Sequence, residues 1–243
     1  MLRTIRQQRW DSRHIAMASG YLPTNAWREK IVFGAGTPVQ LCRTGIPSET
    51  LRGMIAAYLR EPHRKPGTVF GEPNRVSNQG KRNEEIAVAG VTSGGGFSRD
   101  STRAFWDGID DQLRDAAARC LGLYMGTAST HVPGLRGDGT MRDEVFRVKH
   151  YANGTRERAG GFHDWHVDDL SPSGVSSRAQ RRMALILYLN QVKIGGETEI
   201  RGFEPITPQA GQMLLFPTGQ GFVHRGREPL SEPKFVVSNF IIT

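Results

Sequence analysis

Two stretches in the first half of the chain carry apolar side chains at the spacing of an amphipathic helix. Those that follow Ser48 are Leu51, Met54, Ile55, Tyr58 and Leu59. Those that follow Ser101 or Thr102 are Phe105, Ile109, Leu113, Ala116 and Cys120. Residues three and four apart share one face of a helix. The pattern therefore predicts a first helix that is capped by Ser48 and ends before Pro62, and a second that ends near Gly122.

The second half of the chain consists of short β-rich runs separated by glycine and proline. The predicted strands there are residues 144–151, 183–190, 197–201, 212–216 and 234–242. Between the two helices, we predict a loop at 74–82, a strand at 85–92 and a flexible connector at 94–96. Many short strands with such turns are typical of a sandwich or jelly roll.

The predicted fold is therefore α+β and mainly β, with N-terminal helices packed on the outside of a double-stranded β-helix (jelly roll). We expect a single domain over residues 1–243. Within it, residues 1–45 form a basic N-terminal arm and entry segment, 46–125 the supporting helices and strand, and 144–242 the double-stranded β-helix.

Composition excludes several classes of protein. The chain has 243 residues, of which 37% are apolar, and this is enough for a sizeable core and excludes disorder throughout. No apolar run approaches the roughly 18 residues of a membrane span, and no signal-peptide stretch follows the start, so we expect a cytoplasmic protein without a membrane partner. The two cysteines, Cys42 and Cys120, are too few for a disulfide scaffold and are interpreted as inert small hydrophobes.

The net charge of +8 is concentrated in the N-terminal arm. Residues 1–30 hold six basic side chains against two acidic ones. Such an arm could attract nucleic acid, but no ladder of aromatic side chains accompanies it, so nucleic acid is not the favoured partner.

The candidate chemistry lies in a glycine-bordered stretch at 160–169. In an extended strand, His166 and Asp168 would share one face while Val167 points away. An imidazole and a carboxylate suit a divalent transition metal, and one distant histidine would complete a facial triad with open coordination positions. His224 is the best candidate for that third ligand. A tripeptide of this kind also arises by chance, so the pattern is weak by itself.

The order of the surrounding residues strengthens the interpretation. After the His166/Asp168 pair come the apolar run 183–190, a Gly-Gly-Glu-Thr turn at 195–198, the run 208–217, His224 and, ten residues later, Lys234. In this order the sequence resembles the prolyl-4-hydroxylase-like branch of the Fe(II)/2-oxoglutarate dioxygenases, over roughly residues 144–242.

The resemblance implies a catalytic Fe(II) held by His166, Asp168 and His224, with 2-oxoglutarate and O2 as cosubstrates and ascorbate as a supportive factor. It also implies that Lys234 pairs with the far carboxylate of 2-oxoglutarate, with Arg225 or Arg227 as alternates. Relatives that halogenate lack the carboxylate at the position of Asp168. Its presence favours hydroxylation, or another oxidation such as desaturation or cyclisation.

Tyr151 resembles a tyrosine that often contacts the cosubstrate in this family, but the match is looser. The spacing to His166 is longer than usual, with residues 155–159 inserted. Strand parity would also place Tyr151 on the same face as Arg147 and Lys149. Either those cations serve bound anions, or Tyr151 lies beyond the regular strand.

The sequence is least informative about the substrate. The polar loops 152–165 and 170–182 suit a lid, and the candidate substrate contacts in and beside them are Trp165, His163, Arg178 and Arg182. A small molecule, such as a free amino acid or natural-product intermediate, is the first choice, and a peptidyl proline or other protein side chain is the second. A rival of another class is a non-catalytic cupin-like binding module with a nucleic-acid-binding arm. Nothing in the sequence indicates an oligomeric state.

Overall fold

The computed structural model describes residues 31–62, 64–67, 81–88, 101–132, 135, 141–154, 160–168 and 181–242. Most of the predicted N-terminal arm, most of the loop predicted at 74–82, the connector at 94–96 and Arg178 lie outside the described residues. Among those described, no helix is long and apolar enough to cross a membrane.

Two helices pack against one face of the protein's larger sheet. Helix α1 spans Ser48–Arg60 and helix α2 spans Ser101–Ala128, followed by a single 3-10 turn at Ser129–His131. The predicted cap at Ser48 is wrong by one position. Pro47 is the N-cap, in an extended conformation, and its carbonyl accepts the first helical hydrogen bond from the backbone N–H of Leu51.

Helix α1 ends before Pro62, as predicted, whereas α2 continues beyond Gly122. Leu123, Tyr124 and Ala128 are buried on its extension. Their burial favours helix more strongly than the roughly 1 kcal/mol by which an interior glycine disfavours it.

Thirteen strands are described, and all their pairings are antiparallel. They are β1 (Ile31–Phe33), β2 (Gln40–Arg43), β3 (Lys65–Pro66), β4 (Lys81–Arg82), β5 (Glu84–Ala87), β6 (Arg142–Asp143), β7 (Arg147–Tyr151), β8 (Gly161–His166), β9 (Arg181–Tyr188), β10 (Thr198–Ile200), β11 (Gln212–Pro217), β12 (His224–Gly226) and β13 (Lys234–Ile242). The strand predicted at 234–242 has the predicted bounds, and the others differ by a few residues. Lys81 and Arg82, predicted as loop, form β4 because they pair with Phe162 and Gly161 of β8.

The strands form two sheets. The larger has the order β1-β2-β11-β9-β13-β7-β5-β3, with β6 also paired to β13, and the smaller has the order β10-β12-β8-β4. One apolar cluster fills the space between α1, α2 and the larger sheet, and a second includes residues of both sheets, such as Tyr188 of β9 and Ile200 of β10. The hydroxyl of Tyr188 donates a hydrogen bond to the Thr198 hydroxyl at 2.8 Å, across that second core. The two sheets are those of a double-stranded β-helix, as predicted.

The two cysteines meet in the first core. Cys42 on β2 and Cys120 on α2 are fully buried and free. A hydrogen bond with Cys120, and then burial, raises the pKa of the Cys42 thiol far above its ordinary value. The thiol therefore stays protonated, which agrees with its interpretation as inert.

A buried charge network holds α2 to the edge of the larger sheet. One guanidinium nitrogen of Arg114 lies 2.7 Å from both carboxylate oxygens of Asp143, and its Nε donates to Asp110 at 2.9 Å. Asn239 of β13 donates a further hydrogen bond to Asp143 at 3.1 Å. The side chain of Asp143 is only 1% exposed, so its charge depends on these donors.

We therefore expect Arg114→Met to lower the free energy of unfolding by roughly 3–5 kcal/mol, because it leaves the Asp143 carboxylate buried without its cation. Denaturant titration of the purified protein measures this. The matched control is Arg52→Met on the exposed face of α1, which should change the free energy by less than about 0.5 kcal/mol. Equal losses in the two variants would contradict a stabilising role for the network.

Candidate metal centre

Pairing of two short strands brings together residues that are far apart in the sequence. His166 is the last residue of β8 and lies opposite His224, the first residue of β12. Asp168 follows two residues after the end of β8, where the chain has already left the sheet. The candidate ligand atoms of these three residues lie within 4.8 Å of one another, and they are the one such group of three found among the described residues.

The two imidazoles are oriented by backbone carbonyls. Nδ1 of His166 lies 2.9 Å from the carbonyl of Asp164, and Nδ1 of His224 lies 3.1 Å from the carbonyl of Phe222. Because a carbonyl only accepts, each Nδ1 carries its proton, and each Nε2 retains a lone pair. Both Nε2 atoms face Asp168, at 3.8 Å from one carboxylate oxygen for His166 and 3.3 Å from the other for His224.

The electrostatics of the site keep its groups in the protonation states that a metal requires. Burial, followed by the nearby charges of His224 and Lys149, lowers the pKa of His166 to about 4, although Asp168 opposes the shift. Burial alone would raise the pKa of Asp168, but the hydrogen bond and charge of His224, with those of His166 and Lys149, lower it to about 2. At neutral pH, His166 is therefore a neutral donor and Asp168 an anion.

Aromatic side chains hold the histidine rings in place. Phe162 stacks on His166 with ring centroids 3.5 Å apart, and Phe216 contacts His224 edge-on at 4.7 Å. These contacts restrict ring rotation and keep water from that side of the imidazoles. Two imidazoles and one carboxylate on one side of a cavity are the donor set that suits Fe(II), so the residues fit this metal.

Lys234 is buried in the wall of the same cavity. It begins β13, where it pairs with Tyr151 of β7, and its Nζ lies 4.9 Å from the centre of the Tyr151 ring. The Nζ donates a hydrogen bond to the carbonyl of Gly196 at 2.9 Å. Burial lowers the pKa of Lys234 to about 8, although the charge of Glu197 opposes the shift. A nearby anion would restore the ordinary pKa.

The structure decides between the two alternatives for Tyr151. The strand β7 includes Tyr151 as its last residue, so the expectation that it could lie beyond the strand is wrong. Val148 is buried in the core against the helices, whereas Lys149 and Tyr151 line the cavity that contains the triad. The cationic residues of this face therefore point toward the site.

The predicted substrate residues are placed elsewhere. Trp165 and His163 alternate with the cavity-lining residues of β8. The ring of Trp165 lies between the guanidinium groups of Arg201 and Arg225, at 4.9 and 4.5 Å, and Nδ1 of His163 lies 3.3 Å from a carboxylate oxygen of Glu228. None of Trp165, His163 and Arg182 lines either cavity at the triad.

Arg225, the predicted alternate for cosubstrate binding, lines the cavity near Lys234. Its Nε, however, donates a 2.6 Å hydrogen bond to Glu199. Its charge is therefore already paired, whereas no close ion pair of Lys234 is seen among the described residues.

A second, more polar cavity of about 280 Å³ opens on the other side of the triad. It shares Phe162, His166 and Asp168 with the first cavity. Its charged walls are Lys81, Glu85, Glu144, Arg147, Lys149 and Arg181. We call it the polar chamber. The sequence indicated Arg147 and Lys149 through strand parity, and Arg181 as an arginine that could bind an acid group. It did not indicate Lys81, Glu85 or Glu144, because their positions depend on strand pairings that are not local in the sequence.

Comparison with known proteins agrees with this geometry. Residues 146–242 match the family model described as the 2OG-Fe(II) oxygenase superfamily. No curated protein sequence matches the chain.

Among solved structures, a prolyl hydroxylase from Trichoplax adhaerens, in complex with a hypoxia inducible factor peptide fragment, has a TM-score of 0.59 at 13% identity, covering 94% of this chain and 90% of that one. A viral collagen prolyl hydroxylase from Paramecium Bursaria Chlorella virus-1 has a TM-score of 0.54 at 15% identity, covering 86% and 97%. A Pseudomonas putida prolyl-4-hydroxylase has a TM-score of 0.52 at 17% identity, covering 85% and 93%.

At these identities the solved structures show a shared fold, and the family match adds the chemistry. The family uses Fe(II), 2-oxoglutarate and O2. Residues 146–242 match the 2OG-Fe(II) oxygenase superfamily model, which supports a dioxygenase, and the chain has the fold of the prolyl hydroxylases.

Proposed function

We propose that the protein hydroxylates an unactivated C–H bond of a small polar molecule, with Fe(II) held by His166, Asp168 and His224 and 2-oxoglutarate held by Lys234. The observation that carries this proposal is the convergence of the three ligand side chains beside a cavity with one buried lysine in its wall. When bound, the metal and cosubstrates supply the oxidant for the C–H bond, with decarboxylation of 2-oxoglutarate to succinate.

The protein's own residues provide binding and orientation. Nδ1 of each histidine donates a hydrogen bond to a backbone carbonyl. This orients the rings so that both Nε2 atoms face the metal position. Phe162 and Phe216 hold the rings. Asp168 supplies the carboxylate whose presence favours hydroxylation over halogenation.

Lys234 is suited to the far carboxylate of 2-oxoglutarate by its burial and its charge. A carboxylate moved from water into this cavity loses several kcal/mol of solvation unless a fixed cation meets it. Nζ of Lys234 is 3.5 Å from the position of a Cβ on Gly226, so a glycine there leaves space beside the ammonium group. Tyr151, whose ring lies beside Nζ, is the second side chain proposed to contact the cosubstrate.

The choice of a small substrate rests on the polar chamber. Its volume of about 280 Å³ is near the lower end of the range for small-molecule sites, roughly 300–1,000 Å³. The alternative is a protein side chain such as a peptidyl proline, and it is favoured by the similar structures, which are prolyl hydroxylases, one of them in complex with a peptide. The family match removes the non-catalytic binding module from consideration.

The metal assignment predicts that His224→Ala and Asp168→Ala each abolish the visible charge-transfer band that Fe(II) and 2-oxoglutarate produce together without oxygen. Each change removes one of three ligands and leaves a weak, misshapen site. Anaerobic absorption titration measures the band, and circular dichroism checks that the variants are folded.

His131→Ala is the matched control, because His131 is exposed and contacts only the carbonyl of Gly36 among the interactions seen. It should leave the band unchanged. A wild-type protein that binds Fe(II) but shows no band with 2-oxoglutarate would overturn the proposed function.

For Lys234, we expect Lys234→Met to raise the dissociation constant of 2-oxoglutarate by at least about thirtyfold, because one cosubstrate carboxylate is left buried without its partner. The affinity for Fe(II) should change little. Titration of 2-oxoglutarate into the anaerobic Fe(II) protein, read from the same band, gives the first value. Titration of Fe(II) into protein with excess 2-oxoglutarate gives the second.

Lys234→Arg keeps the charge and should recover part of the lost affinity. An unchanged affinity in Lys234→Met would transfer the cosubstrate contact to Arg225 or Arg227.

A further inference from the structure

The polar chamber contains more positive than negative charge. Four basic side chains line it, whereas its acids, apart from the proposed metal ligand, are Glu85 and Glu144. The ion pairs between these residues show where in the polar chamber the excess positive charge lies.

Arg181 and Glu144 form an ion pair with each other. Arg181 holds Glu144 through two hydrogen bonds, from Nε at 2.6 Å and from a terminal nitrogen at 2.9 Å. The guanidinium also lies over the ring of Phe240, 3.8 Å from its centre. This two-bond geometry satisfies both charges, so neither residue offers a binding group to a ligand.

Glu85, the other acidic residue, interacts with three cationic side chains. Glu85 lies 3.3 Å from a guanidinium nitrogen of Arg147 and 3.8 Å from Nζ of Lys81. Burial would raise the pKa of Glu85, but the charges of Lys149, Lys81 and Arg147 together lower it. One carboxylate therefore faces three positive groups, so Glu85 alone does not balance the charge of all three.

Lys149 differs from the other basic residues of the polar chamber in its direct contacts. It makes no hydrogen bond or close ion pair with any residue that the structure describes, although it is half-buried and lines both the polar chamber and the cavity of Lys234. Burial, and then the charge of Lys149, lowers the pKa of Lys81 to about 7, although Glu85 opposes this shift. The two ammonium groups thus repel each other, and Glu85, the carboxylate that interacts with both, offsets this repulsion only in part.

The proposed metal and cosubstrate do not supply the missing anion. The charges of Fe(II) and Lys234 balance those of Asp168 and the two carboxylates of 2-oxoglutarate. The reacting centre is then neutral as a whole, and the negative charge nearest Lys149 is still that of Glu85, which Lys149 shares with Lys81 and Arg147. An ammonium group in a partly desolvated site binds an oxyanion more strongly than it would in water.

We propose that the substrate is a small molecule with a carboxylate, and that this carboxylate lies against Lys149 in the polar chamber, with Lys81 beside it. The inference rests on the proposed function and deepens it by naming the substrate's charged group. Lys149 acts as a specificity residue: it fixes the substrate at one end, so that a C–H bond farther along the molecule faces the metal position.

The size of the polar chamber favours a free acid. A residue within a peptide is an amide at both ends and has no carboxylate of its own unless the side chain provides one. A free amino acid or similar acid carries this group and fits a volume of about 280 Å³. An acidic peptide is the competing occupant that the experiment must distinguish.

The experiment uses the full-length protein loaded with Fe(II) and 2-oxoglutarate. The probes are the free L-amino acids and small dicarboxylic acids, the amide of each acid, and proline-containing peptides blocked at both ends. Binding is read anaerobically from the change in the charge-transfer band, and turnover is read as substrate-stimulated succinate formation. We expect at least one free acid to perturb the band and stimulate succinate formation, and its amide to bind at least about tenfold more weakly.

The matched variants are Lys149→Met, Lys149→Arg and, as a control, Lys193→Met, whose exposed side chain lies near Glu232 and away from both cavities. Lys149→Met should raise the dissociation constant of the acid at least about tenfold, with less than about a twofold change for 2-oxoglutarate. Lys149→Arg should recover much of the binding, and Lys193→Met should match the wild type.

The inference and the proposed function fail in different ways. If no Fe(II)/2-oxoglutarate band forms, the proposed function fails, and the inference fails with it. If the band forms, three results would each overturn the inference alone: no free acid changes the band, acids and amides act equally, or only blocked peptides stimulate succinate formation. A Lys149→Met variant that weakens 2-oxoglutarate instead of the acid would also overturn it, by assigning Lys149 to the cosubstrate.

Discussion

The antiparallel pairing of β8 with β12 is the constraint on which the site depends. It places His166 opposite His224 and, after an irregularity that shifts the register, Gly226 opposite Phe162, which stacks on His166. Carbonyls of the same two segments then orient both rings. Because side chains alternate along a strand, a shift of this register by one residue would turn one histidine to the outside of the sheet. The candidate metal centre is thus a consequence of strand register.

The second feature that organises the structure is the pairing of its buried charged side chains. Away from the two cavities, the protein pairs its buried charges closely, as Arg114 does with Asp143. Beside the triad this pairing is incomplete, since Lys234 contacts a backbone carbonyl. Unpaired buried charge is unfavourable in the free protein, so such positions are suited to ligands that carry the opposite charge.

Local patterns explain why much of the fold could be predicted. The helical stripe that includes Leu51 and Met54 and the β-rich run of β13 are each encoded within about a dozen neighbouring residues, so the sequence indicates both elements. Where prediction failed, distant contacts decided the outcome. Burial of Leu123 and Tyr124 extends α2 beyond Gly122, and pairing with β8 makes a strand of Lys81 and Arg82.

The sequence by itself determined the ligand types, the order in which they occur, and the lysine ten residues after the second histidine. It also determined that Tyr151, Lys149 and Arg147 share a face, because alternation along a strand is a local property. Only the tertiary structure decided which groups face one another. It places Trp165 against two arginines and outside the lining of both cavities, and it brings Lys149 and Lys81, from different strands, to the wall of one chamber. Those relations depend on pairings between segments distant in the chain, and no local pattern specifies them.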